Sequence, residues 1–170
     1  MRFEDWLHTV IENGTICEKE LNNLSAAYSK KQIMDVVLHP DGLYYICEIG
    51  ERGFRLPYET ITKEFNSYIN GKYEKVSVGK NGIEFTTSLY CCYSESDELI
   101  IDSTMTALLG CNTKLMVQEN QAVAIILDTN CDVSIQCPIS ARCRVTTYGN
   151  PKINIIGSTN NVRIIKGKVR

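Results

Sequence analysis

Imidazole is almost missing from this chain: His8 and His39 are the only histidines among 170 residues. The scarcity leaves little for metal or nucleophilic chemistry. There are eight cysteines (Cys17, Cys47, Cys91, Cys92, Cys111, Cys131, Cys137 and Cys143), but no Cys-x-x-Cys pair. Cys131 and Cys137 stand six apart, with only the two histidines to complete a set, so a zinc site is not expected. Asp ligands do not recur at regular places, which argues against a calcium-binding repeat. No glycine-rich phosphate loop occurs, since Gly149 and Gly157 are isolated turn glycines. No metal and no cofactor is therefore expected, and no catalytic residue.

Two further absences bear on location. No stretch approaches the ~18 apolar residues of a membrane span, so no membrane partner is expected. The opening MRFEDWLHTVIENG carries acids and no long apolar run, unlike an export signal. The cysteines then read as reduced, buried thiols of a cytoplasmic protein, or of a virion component if a phage encodes it.

Acid is also missing, locally. Residues 133–170 hold seven basic side chains (Arg142, Arg144, Lys152, Arg163, Lys166, Lys168 and Arg170) and no Asp or Glu. Residues 1–71 hold 7 basic and 11 acidic side chains, net -4, within a chain of net charge -2. The distal end is a basic tip on a mildly acidic protein.

What is present is a period of ten. From Ile101 the fifth place of each row is apolar: Met105, Leu115, Ile125, Ile135, Val145, Ile155 and Ile165. The tenth place is Asn120, Asn130, Asn150 or Asn160, with Gly110, Ser140 and Arg170 in the other rows. Such self-similarity marks stacked units sharing one core. Places three and five pair on one face in Val123/Ile125, Val133/Ile135, Cys143/Val145 and Ile153/Ile155, with polar residues between. The asparagines are expected to turn corners through left-handed backbone and local hydrogen bonds. Corner acids such as Asp128, Asp132 and Glu119 are expected to be solvated. No Asn-Gly or Asp-Gly dipeptide follows Gly82, and hairpins usually need one. The pattern therefore favours a short parallel solenoid, two rows per coil, over an antiparallel meander. In the last row Arg163 falls on an apolar place, and Val162 and Ile164 take over.

The first seventy residues read as helices. Phe3, Trp6, Leu7, Val10 and Ile11 recur at helical spacing until Asn13-Gly14, and Cys17, Leu21 and Leu24 suggest a second helix. Ser29 and Gln32 have the form of a capping box opening Gln32–Leu38, which Pro40-Asp41-Gly42 ends, with a further turn or two around Leu43, Ile46 and Cys47. Pro57 opens a helix through Ile61, Phe65 and Ile69, ended by Asn70-Gly71. Tyr73–Val78 and Ile83–Tyr93 flank Lys80-Asn81-Gly82 as a hairpin, and Glu98–Ile101 is a short strand leading into the repeats. The expected fold is α+β: a helical head over 1–72, then a β-rich part over 73–170, comprising a hairpin shoulder (73–93) and the ten-residue repeats (about 101–170).

The segments Ser29–Leu38, Asp41-Gly42, Tyr45-Ile46-Cys47, Gly53–Glu59 and Tyr68–Tyr73 carry a resemblance. The chain resembles a group of small uncharacterised proteins of phages, prophages and mobile elements of gut anaerobic bacteria, which pair a helical head with a β-repeat tail. The similarity is close over roughly 29–73 and one of style in the tail, which is also similar in texture to β-helical domains of bacterial surface proteins. The group has no assigned activity, so the resemblance implies a context and no residue role.

The leading functional expectation is a non-enzymatic structural or protein-interaction role, with the β stack as a rigid platform for an unidentified protein partner and with self-association through the far end. The alternative is a nucleic-acid or polyanion binder using Arg142, Arg144, Lys152, Arg163, Lys166 and Lys168. It is less favoured, because those same cations serve as gatekeepers against edge pairing and only Tyr148 offers a ring for base stacking. A cysteine-dependent enzyme ranks last. His8 and His39 read as helix-surface and helix-end residues, and Cys91 and Cys92 face opposite ways on one strand.

Overall fold

The alternation of apolar and polar residues from residue 83 onward is realised as parallel strands that climb in coils. The computed structural model of the chain describes residues 1–13, 18–25, 29–65, 69–70, 72–73, 76–80, 83–91 and 98–169. Expectations placed on Gly14, Cys17, Gly71, Asn81-Gly82, Cys92-Tyr93 and Arg170 lie outside these residues.

The head comprises α1 (Phe3–Glu12), α2 (Glu18–Ser25), α3 (Lys30–Val37), α4 (Pro40–Glu51) and α5 (Tyr58–Glu64). Phe3, Trp6 and Val10 form the buried stripe of α1 and share one core with Met34, Leu43, Ile61 and Phe65, the Phe3 and Phe65 rings meeting edge to face at 5.1 Å. The Trp6 indole donates to the Phe54 carbonyl at 2.8 Å, so its one polar atom is satisfied inside the core. Ser29 caps α3, its hydroxyl accepting from the Gln32 N–H at 3.2 Å, but the helix begins at Lys30, two residues before its expected start. Pro40 opens rather than interrupts. It stands at the first position of α4, where its missing N–H costs nothing, and His39 precedes it as the cap. Gly42 is required here, because a Cβ would lie 2.4 Å from the Val36 carbonyl oxygen where α4 crosses α3.

The helix after Pro57 is shorter than its apolar spacing suggests. It ends at Glu64, and Ile69 belongs instead to a strand. Strands β1 (Ile69–Asn70) and β2 (Lys72–Tyr73) pair antiparallel, so a small ribbon straddles the boundary drawn at residue 72.

The hairpin shoulder is β3 (Val76–Lys80) against β4 (Ile83–Cys91), antiparallel. Every later ladder is parallel, which decides for the solenoid and against the meander. The strands are β5 (Glu98–Ile101), β6 (Met105–Leu109), β7 (Asn112–Val117), β8 (Ala122–Leu127), β9 (Asp132–Gln136), β10 (Arg142–Thr147), β11 (Lys152–Ile156) and β12 (Val162–Lys166). They alternate between two sheets, ordered β12-β10-β8-β6-β4-β3 and β11-β9-β7-β5. One coil is two rows of the sequence: Arg142 sits beside Ala122, and Lys152 beside Asp132. The last step is one residue shorter, placing Val162 beside Cys143 and Arg163 beside Arg144, which is the slip legible at Arg163.

The side chains at places three and five fill the interior. Ile125, Ile135 and Val145 have no exposed surface, and Val133 and Cys143 are buried; each such side chain contributes ~1.5–3 kcal/mol of burial. The corners differ from the asparagine expectation. Asn120 alone of the four takes a left-handed conformation (φ 60°), while Gly110, Gly149 and Gly157 supply it elsewhere. The Asn130 N–H instead bonds the Asp128 carboxylate within its own corner, and the Asn150 N–H bonds the Thr129 hydroxyl of the preceding coil, both at 3.2 Å.

Among the described residues the main contacts of the head with the stack fall on β4, β6 and β8 of the six-stranded sheet. The outward column Leu89, Ala107, Ile126 and Thr146 is covered, with α4 against β4, β6 and β8. The next column reads Thr87, Met105, Ala124, Arg144, Arg163, passing from fully buried at Thr87 to exposed at the two arginines. No described helix is long and apolar enough to cross a membrane.

Candidate functional site

The six basic residues of the tip divide among three places. Arg142 and Arg144 on β10 and Arg163 on β12 project from the outer face of the six-stranded sheet, just beyond the region that the head covers. With Thr104, Ala122, Ala124, Asn160 and Asn161 they line an open groove of about 700 Å³. The Asn161 amide donates to the Ile139 and Pro138 carbonyls at 2.6 and 3.2 Å, tying the groove's rim to the preceding corner. Arg144 and Arg163 are register partners on adjacent strands, and no carboxylate among the described residues pairs with any of the three arginines. Like charges side by side on a ladder repel, so Arg144 and Arg163 disfavour each other.

Lys152 lies elsewhere. Consecutive rows alternate between sheets, so it projects from the four-stranded sheet and pairs with Asp132 at 3.4 Å. Lys166 closes β12 and Lys168 follows it, both exposed at the far end of the stack.

The far end is also where apolar surface emerges. Of the six large apolar side chains that the described residues leave exposed, Ile139, Ile156, Ile164 and Val169 all belong to the last turns. The inward pair Ile153/Ile155 is only half-buried, whereas Val133/Ile135 one coil below is fully covered.

A third feature joins head to stack and escaped the sequence reading. Asp128, expected to be a solvated corner, is 3% exposed. Its carboxylate accepts from the Gly110 N–H at 2.9 Å, the Asn130 N–H at 3.2 Å, the Cys131 thiol at 3.3 Å and the Tyr58 hydroxyl of the head. Arg55 lies 3.7 Å from it and also donates to the Tyr58 oxygen at 3.1 Å. The Asp-x-Asn corner was a legible local turn signal, but nothing in the sequence pointed from it to Tyr58. The set is saturated with partners: burial first, then the bond to Asp128, pushes the Tyr58 hydroxyl well above the usual phenol range. It is a structural dock.

The thiols follow the same logic. Cys47, Cys91, Cys111, Cys131, Cys137 and Cys143 are buried and form no disulfide with one another. Burial raises Cys143 to about 12, and burial followed by the nearby Asp128 charge raises Cys47 and Cys131. A nucleophilic cysteine needs the opposite shift. His8 is exposed on α1, and His39 Nδ1 accepts from the Asp41 N–H at 3.3 Å as a helix cap. No group of three metal-ligating side chains occurs among the described residues. The apolar hollow in the head lined by Phe3, Trp6, Val37, Tyr45 and Leu56 measures about 50 Å³, far below the ~300 Å³ at which small-molecule pockets begin.

Comparison with known proteins adds no name to these surfaces: no family model, no curated protein and no solved structure matches the chain.

Proposed function

We propose that the chain is a non-enzymatic interaction protein whose β stack is a rigid platform for a protein partner. One observation carries this reading. The head packs on the other sheet, and among the described residues no helix is a main contact of β5, β7, β9 or β11, whose outward side chains are exposed or half-exposed and laddered by register. That face carries Ile100, Met116, Gln136 and Ile156 in one column, and Glu98 and Lys114, paired at 2.7 Å, in the next. Regular stacks present extended surfaces of this kind. The buried thiols fit a reducing compartment such as the cytoplasm, and a phage or mobile-element origin accords with the resemblance over roughly residues 29–73.

The test is recovery of partners from the native host with tagged full-length protein, with and without nuclease. A protein retained after nuclease, and lost with Met116→Arg combined with Gln136→Arg, supports the platform. Retention by that double variant refutes it.

The arginine groove favours a second reading, polyanion binding. Three arginines on phosphates give a log affinity against log salt slope of about -2 for single-stranded nucleic acid. Arg142→Glu and Arg144→Glu should abolish such binding, and Lys152→Glu, on the opposite sheet, should leave it unchanged. A salt-independent affinity, or equal effects of all three, removes this reading.

A further inference from the structure

We propose that the arginine groove takes single-stranded nucleic acid, laid along β8 with its phosphates on the arginines and its bases against an alanine floor. The proposal rests on the polyanion reading and deepens it by naming the polyanion.

The groove lies on the broad outer face of the six-stranded sheet. Its floor is β8, hydrogen-bonded to β6 on one side and to β10 on the other. Val123 and Ile125 turn inward, so Ala122 and Ala124 face out, and their small side chains keep the floor low. Thr104 and Met105 border it at the start of β6, and Arg142 and Arg144 border it on β10. From β6 to β10 is two strand spacings, ~10 Å. That width seats one polynucleotide strand, whereas a duplex rests on the rims and leaves the floor uncovered.

The arginines set the step along the groove. Arg142 and Arg144 stand two residues apart on one face of β10, a distance of ~6.6 Å. Successive phosphates of an extended polynucleotide follow one another at a similar step. Arg163 is the register partner of Arg144, and a phosphate set between the two relieves their repulsion. The planar fork of a guanidinium suits phosphate oxygens.

An acidic peptide strand also carries alternate charges at about this step. Such a strand gains its affinity by adding to an open sheet edge, and both edges of β8 are already paired. No aromatic side chain lines the groove among the described residues. The bases therefore meet only the flat apolar surface of Ala122, Ala124 and Met105. Contacts to phosphates carry no sequence information, so the site holds a strand without reading it.

The probes are a labelled mixed-sequence DNA oligonucleotide, its complement, their duplex, and a peptide alternating aspartate with serine. Fluorescence anisotropy with the full chain at low salt should show both single strands binding within about threefold of each other. They should bind at least tenfold tighter than the duplex or the peptide. Ala122→Leu combined with Ala124→Leu fills the floor and leaves every charge in place. It should weaken the single strands about tenfold and leave the duplex unchanged, with a circular-dichroism melt confirming the fold. The exposed Ala122→Leu alone repeats the test if the pair does not fold. Equal affinity for strand and duplex, tighter binding of the peptide, or a floor variant that holds the strands as before overturns the proposal and leaves polyanion binding standing. Binding by none of the four probes removes both.

Discussion

Replacing Asp128 by alanine should loosen the head from the stack, and the size of the effect follows from its partners. The carboxylate is buried and accepts from the Gly110 N–H, the Asn130 N–H and the Tyr58 hydroxyl. Each buried donor left without an acceptor costs ~1–3 kcal/mol. The Cys131 thiol keeps the Leu108 carbonyl at 3.2 Å and adds little. Water entering the space vacated by the carboxylate offsets part of the loss, and Arg55, 27% exposed, is largely resolvated. The total is about 3–5 kcal/mol, a large share of the ~5–15 kcal/mol typical of a folded chain. At ~2–4 °C per kcal/mol for a chain of this size, the melting midpoint should fall by roughly 6–20 °C. Urea titration followed by tryptophan fluorescence reports on the head directly, because Trp6 is its sole indole and is buried. A double-mutant cycle with Tyr58→Phe should return a coupling of at least ~1 kcal/mol, since the hydroxyl and the carboxylate serve each other. A loss below ~1 kcal/mol for Asp128→Ala, or additive effects in the cycle, would refute the claim that this contact docks the head.

Gly110→Ala should destabilise by about 2–3 kcal/mol in the same titration, because the residue has φ 66° and a Cβ would lie 2.5 Å from the Tyr58 ring. Arg144→Glu should raise stability by ~0.2–1 kcal/mol at low salt, turning a like-charge neighbour of Arg163 into an ion pair; a fall in stability would contradict the register. Cys143 titrates near 12 in the fold, against an ordinary thiol value of 9.0, because burial opposes the thiolate. The unfolded chain therefore loses that proton first, so the contribution is intact below pH 9 and drains away between pH 9 and 12. The slope approaches ~1.4 kcal/mol per pH unit for this one thiol, and Cys143→Ala should flatten it in unfolding curves taken across that range.

The stack was legible in the sequence because its cause is local and periodic. Alternation sets which side chains turn inward, and a corner of near-constant length sets the coil, so even the one-residue slip at Arg163 could be read. The hairpin of β3 and β4 was legible for the same reason. Elements whose boundaries depend on packing were less so. Pro40 looked like a stop and is a start, because a proline at a helix's first position and one that ends a helix look alike until the cap is seen. Ile69 kept helical spacing with Ile61 and Phe65 but pairs as a strand with Tyr73. The basic patch was half-legible: Arg142, Arg144 and Arg163 do converge, yet Lys152 lies on the other sheet, since a ten-residue step changes sheet and only a full coil returns to it. The docking of Tyr58 on Asp128 joins residues 70 apart with no shared pattern, and local rules carry no information about such a pair.

The main described contacts of the head fall on β4, β6 and β8, which makes the rest of the stack a length-adjustable part. Parallel strands are spaced ~4.8 Å apart, so duplicating one coil within residues 132–161 would move Arg163 and the terminal edge away from the head by that increment. The dock and both ends would keep their own neighbours. Reach, rather than recognition, is the property that such a chain can vary most cheaply.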